Sequence, residues 1–235
     1  MINKQIKYGS KRINYFLEFA ERKTLGITVT PEAEVVVKAP PDSSLKKISE
    51  RIEKRAHWIL KQIDYFNSFK PLTPPRKYFA GETHYYLGKQ YRLKLVRARK
   101  KKVKLYGRYF YVYTPNINNT DIIKKQIDEW YREHAEFKFA IYIDSILKQN
   151  DKIKFSFTGF YLRKMNKRWG SCNKNGTITF NSDLIKAPKG CIDYVIVHEL
   201  CHLRYPNHSN KFYAFQKKLM PNWEIWKERL EKYMA

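Results

Sequence analysis

The chain carries few of the devices that staple small proteins or anchor them in a membrane. Only three cysteines, Cys172, Cys191 and Cys201, occur in 235 residues, and none forms a CxxC pair. That odd count and spacing exclude a disulfide scaffold and a four-cysteine zinc site, so all three read as reduced packing residues. Nine glycines and ten prolines are scattered without a period, which excludes collagen-like and low-complexity chains. No apolar run approaches the roughly 20 residues that span a bilayer. The N-terminal segment MINKQIKYGSKRINYFLEF interrupts every short apolar run with a charge, so no export signal is read. A cytoplasmic protein with no membrane partner is expected.

Acidic residues are also scarce. Asp and Glu number 22 against 47 Lys and Arg, which leaves a net charge of +25. Residues 89–108 hold ten basic residues and no acidic one. Such an excess attracts nucleic acid or acidic partners; a merely solvated basic surface is the plainer reading. Aromatics, in contrast, are plentiful at 16%, and a hydrophobic fraction of 43% is enough to build a core. Disorder is therefore excluded.

Residues 1–115 read as a β-rich basic region with one helix. Ile6, Ile13, Tyr15 and Leu17, then Ile27, Val29, Val35 and Val37, alternate with polar neighbours, and Gly9, Gly26 and Pro31 mark turns. Ile48, Ile52, Ala56, Ile59, Ile63 and Phe66 follow at helical spacing after Ser44, before Pro71 and Pro74-Pro75. Strands return over 78–113, where two runs could pair across Arg99-Lys100-Lys101-Lys102. The polar joint 114–119, containing Pro115, sets the boundary with a second domain at 116–235. That domain opens with a long amphipathic helix over 121–148. Strands are expected at 154–158, 164–171 and 177–183, the last two flanking an Asn-Gly turn. Helices follow over 191–204, 210–219 and 223–233, divided by Pro206 and Pro221. The fold class is α+β, and no internal repeat is visible.

The chemistry lies in DYVIVHELCH, residues 193–202, an HExxH motif within the first of those helices. Residues four apart share a helix face, so His198 and His202 can bind one metal ion. Glu199 can then take a proton from water bound to it. A catalytic zinc takes three protein ligands and keeps one position open. Pro206 forces the chain to turn after Arg204, which makes His208 the favoured third ligand. Glu224 and Glu228 are the acidic rivals. His57, His84 and His134 read as ordinary residues. Tyr205, Tyr213 and Arg168 are candidates to stabilise an oxyanion, and Trp169 reads as core. The spacing His198-His202-His208 matches the metzincin signature, but Tyr205 holds the place of its turn glycine.

Several motifs occur in order: RWGSC (168–172), TITFNSDLI (177–185), YVIVHELCHL (194–203), NHSNKFY (207–213) and MPNW (220–223). On these residues the chain resembles the YgjP-like metallopeptidases, bacterial proteins of the zincin group. The resemblance implies a zincin-like catalytic domain with one zinc on His198, His202 and His208, and with Glu199 as general base. It also implies a peptide or protein substrate, with the strand near Thr177 bordering the cleft, where an extended peptide could add as a further strand. A more distant similarity is to the SprT-like proteases, which act on proteins crosslinked to DNA. Two alternatives follow: a DNA-associated protease recruited by its basic surface, and a nucleic-acid-binding module with a structural metal site. Glu199 argues against the latter, because a structural site needs no base.

Overall fold

Alternation of apolar and polar residues builds the first sheet. In β2 (Lys11–Phe19), Ile13, Tyr15 and Leu17 are buried while Arg12 and Asn14 face solvent. β1 (Ile2–Tyr8) joins β2 through Gly9, whose φ of 59° suits a residue without a Cβ. β3 (Gly26–Val29) and β4 (Val35–Ala39) form a second hairpin. β4 inserts beside β2 in parallel, giving the order β1-β2-β4-β3. α1 (Leu45–Asn67) then lays Ile48, Ile52, Ala56 and Ile59 onto this sheet's core. These positions come from a computed structural model that describes residues 2–30, 32–67, 76–165 and 168–234. Pro31, Pro71, Pro74 and Pro75, read above as breaks, lie outside the described residues.

The same connectivity recurs. β5 (Thr83–Tyr86) pairs with β6 (Lys89–Arg97), and β7 (Lys102–Tyr106) with β8 (Tyr109–Thr114). β8 inserts beside β6 in parallel, giving β5-β6-β8-β7, and α2 (Thr120–Gln149) covers the sheet. Two hairpins followed by a helix thus occur twice, a repeat of connectivity that the residues do not show. The two runs on either side of Arg99–Lys102 do pair, but in parallel through β8 and not as a hairpin, because β8 lies between β6 and β7. Gly107 (φ 56°) closes a tight turn between β7 and β8, and Val103 and Leu105 then meet Val112 and Phe110. Leu93 and Leu95 meet Phe110 and Val112 from the other side.

The chain divides into compact units Met1–Pro74 and Pro75–Met234, not at 115/116 as the sequence reading had it. The reason is packing: Leu93, Phe110 and Val112 share one core with Ile123, Ile127 and Trp130 of α2.

A third sheet has the order β10-β11-β9, from β9 (Gly159–Arg163), β10 (Gly170–Cys172) and β11 (Thr177–Asn181). The strands expected at 154–158 and 164–171 are therefore displaced. Phe155 and Phe157 do pack on the core, but Thr158 bonds the Asn173–Thr177 turn instead of a ladder. A short 3₁₀ helix (Ser182–Lys186) leads to α3 (Lys189–His202), α4 (Asn210–Leu219) and α5 (Trp223–Met234). The β5–β6 turn docks on this connection. Leu87 and Gly88, both left-handed (φ 48° and 79°), donate to the carbonyls of Ile185 and Lys186, which offsets the strain at Leu87. The architecture is α+β, and no described helix is long and apolar enough to cross a membrane.

Candidate metal centre

A helix apolar on every side belongs in the interior. α3 is one: Cys191, Ile192, Val195, Ile196, Val197, Leu200 and Cys201 are all buried, between α2, α4, α5 and β10. Gly190 admits α5, since a Cβ there would sit 2.5 Å from the Trp226 ring. The polar residues this helix keeps at its C-terminal end are His198, Glu199 and His202. His208 follows in the turn after Pro206 and comes back to them.

The ligand nitrogens of His198, His202 and His208 all lie within 4.8 Å of one another. Nε2 of His208 is 3.1 Å from Nε2 of His198, near the spacing of about 3.3 Å between nitrogens bound tetrahedrally to one zinc ion. The outer ring nitrogens are held elsewhere. Nδ1 of His198 donates to Gln216 Oε1 at 2.9 Å, and Nδ1 of His202 to the Tyr205 carbonyl at 3.3 Å. These bonds fix the tautomers that leave both Nε2 lone pairs free, which is the arrangement a metal ligand needs. Burial lowers His198 to about 4 despite the Gln216 bond, and burial with His208 nearby lowers His202. Both are neutral at neutral pH.

α4 supplies the support. Ser209 caps it by accepting from the Phe212 N–H. Phe212 and Gln216, four residues apart and fully buried, share the face turned to α3. The Phe212 ring lies beneath all three imidazoles, with centroids 5.1, 4.7 and 4.8 Å from His198, His202 and His208. Neither residue carries a signal in the sequence that marks it as support for the histidines; the fold brings them there. Gln216→Met keeps the volume but removes the acceptor, so metal affinity should fall about 10–100-fold in competition with a zinc indicator. Unchanged affinity would make Gln216 a packing residue only.

Glu199 is buried, 5% exposed, and lines an open cleft with the three histidines, Arg168, Cys172, Lys174 and the β10 backbone. β10 passes so close that a Cβ at Gly170 would lie 2.5 Å from Glu199 Oε1. Gly170→Ala should therefore displace the carboxylate and lower turnover by about tenfold or more without releasing metal, measured as activity and metal content on one preparation. Wild-type turnover would show that Glu199 has room to move.

Burial raises the Glu199 carboxyl from 4.5 to about 8, opposed by the Arg168 guanidinium. In metal-free protein the native state thus keeps a proton that the unfolded chain gives up above about 4.5, and stability falls as pH rises towards about 8. Metal-free Glu199→Gln should melt above wild type by a margin that widens between about pH 5 and about pH 9. A margin independent of pH would contradict the buried carboxyl.

The other sequence-read residues scatter. Glu224 and Glu228 are exposed on α5, where Glu228 pairs with Lys232, and neither joins the histidine cluster. Of the oxyanion candidates, Arg168 lines the cleft, the Tyr205 ring packs on Phe215, and Tyr213 stacks on His208 and Trp223. Tyr205 has no positive φ, so the turn is made without the glycine-like geometry of the metzincin signature. Trp169 packs on the core, and Met220 ends α4 against it. His57 is exposed, His84 contacts Glu82, and His134 stacks on Trp130. β11, expected to take a peptide along its edge, has both edges occupied by β9 and β10; β10 is the strand that borders the cleft. Asn181 at the end of β11 instead anchors the segment before β10, donating to the carbonyls of Met165 and Arg168.

No curated protein and no solved structure matches this chain. A family profile described as YgjP-like, metallopeptidase domain, matches residues 23–233. With nearly the whole chain covered, including the histidine cluster and the cleft around it, the protein belongs to the YgjP-like metallopeptidase family.

Proposed function

We propose that this protein is a zinc-dependent peptidase of zincin-like fold, working in the cytoplasm, with one zinc per chain on His198, His202 and His208. The observation that carries this reading is the donor set: three histidines whose ligand nitrogens converge, with the outer nitrogens of His198 and His202 held by Gln216 and by the Tyr205 carbonyl. Three such ligands with a fourth position open is the pattern of catalytic rather than structural zinc. When bound, zinc would lower the pKa of a water towards about 7 and polarise the scissile carbonyl.

The remaining work belongs to the chain. Glu199, buried at the edge of the cleft, accepts as a carboxylate the proton of the attacking water and returns it to the leaving amine. Arg168, at the same cleft, offers donors to the developing oxyanion. Among the described residues β10 pairs with β11 alone, so an extended peptide can add to its other edge and run past Glu199. The test is cleavage of casein and of a mixed quenched-peptide library by zinc-loaded protein. Hydrolysis lost on chelation and restored by zinc is expected. A fully loaded protein inert towards every substrate would remove the peptidase reading.

A further inference from the structure

We propose that the outer face of the β5–β8 sheet binds single-stranded nucleic acid, stacking bases on a row of tyrosines and holding phosphates with the cations beside them. The inner face of this sheet is spent on the core, since Phe110, Val112 and Thr114 of β8 are buried. Their alternates, Tyr109, Tyr111 and Tyr113, therefore point outward. The ladder sets cations against them: Arg92 beside Tyr109, Lys94 and Lys104 on either side of Tyr111, and Lys102 beside Tyr113. Tyr106, 78% exposed, completes the row next to Tyr109. Ring centroids along β8 are 5.8 and 6.4 Å apart, the first pair edge to face and the second stacked, so the three rings form one continuous aromatic surface. Lys94 Nζ lies 4.5 Å from the Tyr109 centroid and 5.5 Å from that of Tyr111, placing a positive charge on the aromatic surface itself.

Two observations separate this face from an ordinary solvated sheet. Residues 83–114 contain no acidic residue, so nothing within the sheet neutralises its cations. The β1–β4 sheet has the same strand order, yet its outward positions on β2 and β4 include Phe16, Glu18 and Lys38, with Glu18 and Lys38 paired at 3.0 Å. The topology thus calls for neither a tyrosine row nor an unpaired basic field. An acidic protein partner would use the cations but not the ring faces. A duplex hides its base faces in the stack, whereas a single strand offers both base faces and phosphates.

The test is fluorescence anisotropy of the full chain with labelled single strands of about 12 nucleotides, oligouridylate and oligothymidylate, and with a duplex of equal length. Both single strands should bind better than the duplex. Tyr111→Ala should weaken binding about fivefold or more, while Tyr111→Phe, which keeps the ring, should bind as wild type. Tyr106→Ala, at the most exposed position, repeats the test where folding is not at stake. Lys104→Ala should reduce the slope of log affinity against log salt by about 0.7. The proposal is overturned if no single strand binds at low salt, if the duplex binds as tightly, or if both tyrosine-to-alanine variants bind as wild type. Competition by polyglutamate as strong as that by the single strand would also overturn it, in favour of an acidic protein. None of these outcomes depends on the peptidase reading.

Discussion

Glu199→Gln should lower peptide hydrolysis by about 10²–10⁴-fold while the protein keeps its zinc. Glutamine preserves the shape of a side chain that is almost fully buried and pressed against Gly170, so the surroundings need not move. What is lost is the basic oxygen. The size of the effect follows from proton transfer, because without the carboxylate no positioned group takes the proton of the attacking water. Activity and zinc content measured on the same preparation separate the outcomes. A variant with both zinc and full activity would contradict the base assignment, and a variant without zinc would make Glu199 a ligand.

The second large effect is on the metal. His208→Ala leaves two imidazoles, and zinc affinity should fall by more than the 10–100-fold typical of losing a hydrogen bond to a ligand. His134→Ala should leave zinc content unchanged, because that ring is stacked on Trp130 with centroids 3.7 Å apart and bonds the Trp130 carbonyl. Metal binding is coupled to folding, so circular dichroism accompanies both variants. Equal zinc in the two would take His208 out of the ligand set.

What could be read from residues alone follows from how local each constraint is. HExxH is legible because metal binding and helix geometry together dictate its spacing, and the apolar run before it marks a buried helix. The break at Pro206 is legible because proline chemistry is local. Gln216 is not: in an amphipathic helix a glutamine looks like a surface residue, and only the fold turns it towards His198. Gly170 is not, because its role is a distance to Glu199 across two elements. The sheet orders escaped for a related reason. Adjacent strands suggest hairpins, yet β8 pairs in parallel with β6 across the intervening β7, and β4 pairs with β2 across β3. Nothing within either strand records that long-range choice.

The central claim is that three histidine Nε2 atoms hold one metal ion within reach of Glu199. A crystal of zinc-loaded protein measured at the zinc absorption edge tests it directly. One anomalous peak is expected about 2.0–2.1 Å from Nε2 of His198, His202 and His208, with Gln216 still bonded to Nδ1 of His198. A fully loaded crystal with no peak there, or with the metal bound through the Glu199 carboxylate, would contradict it.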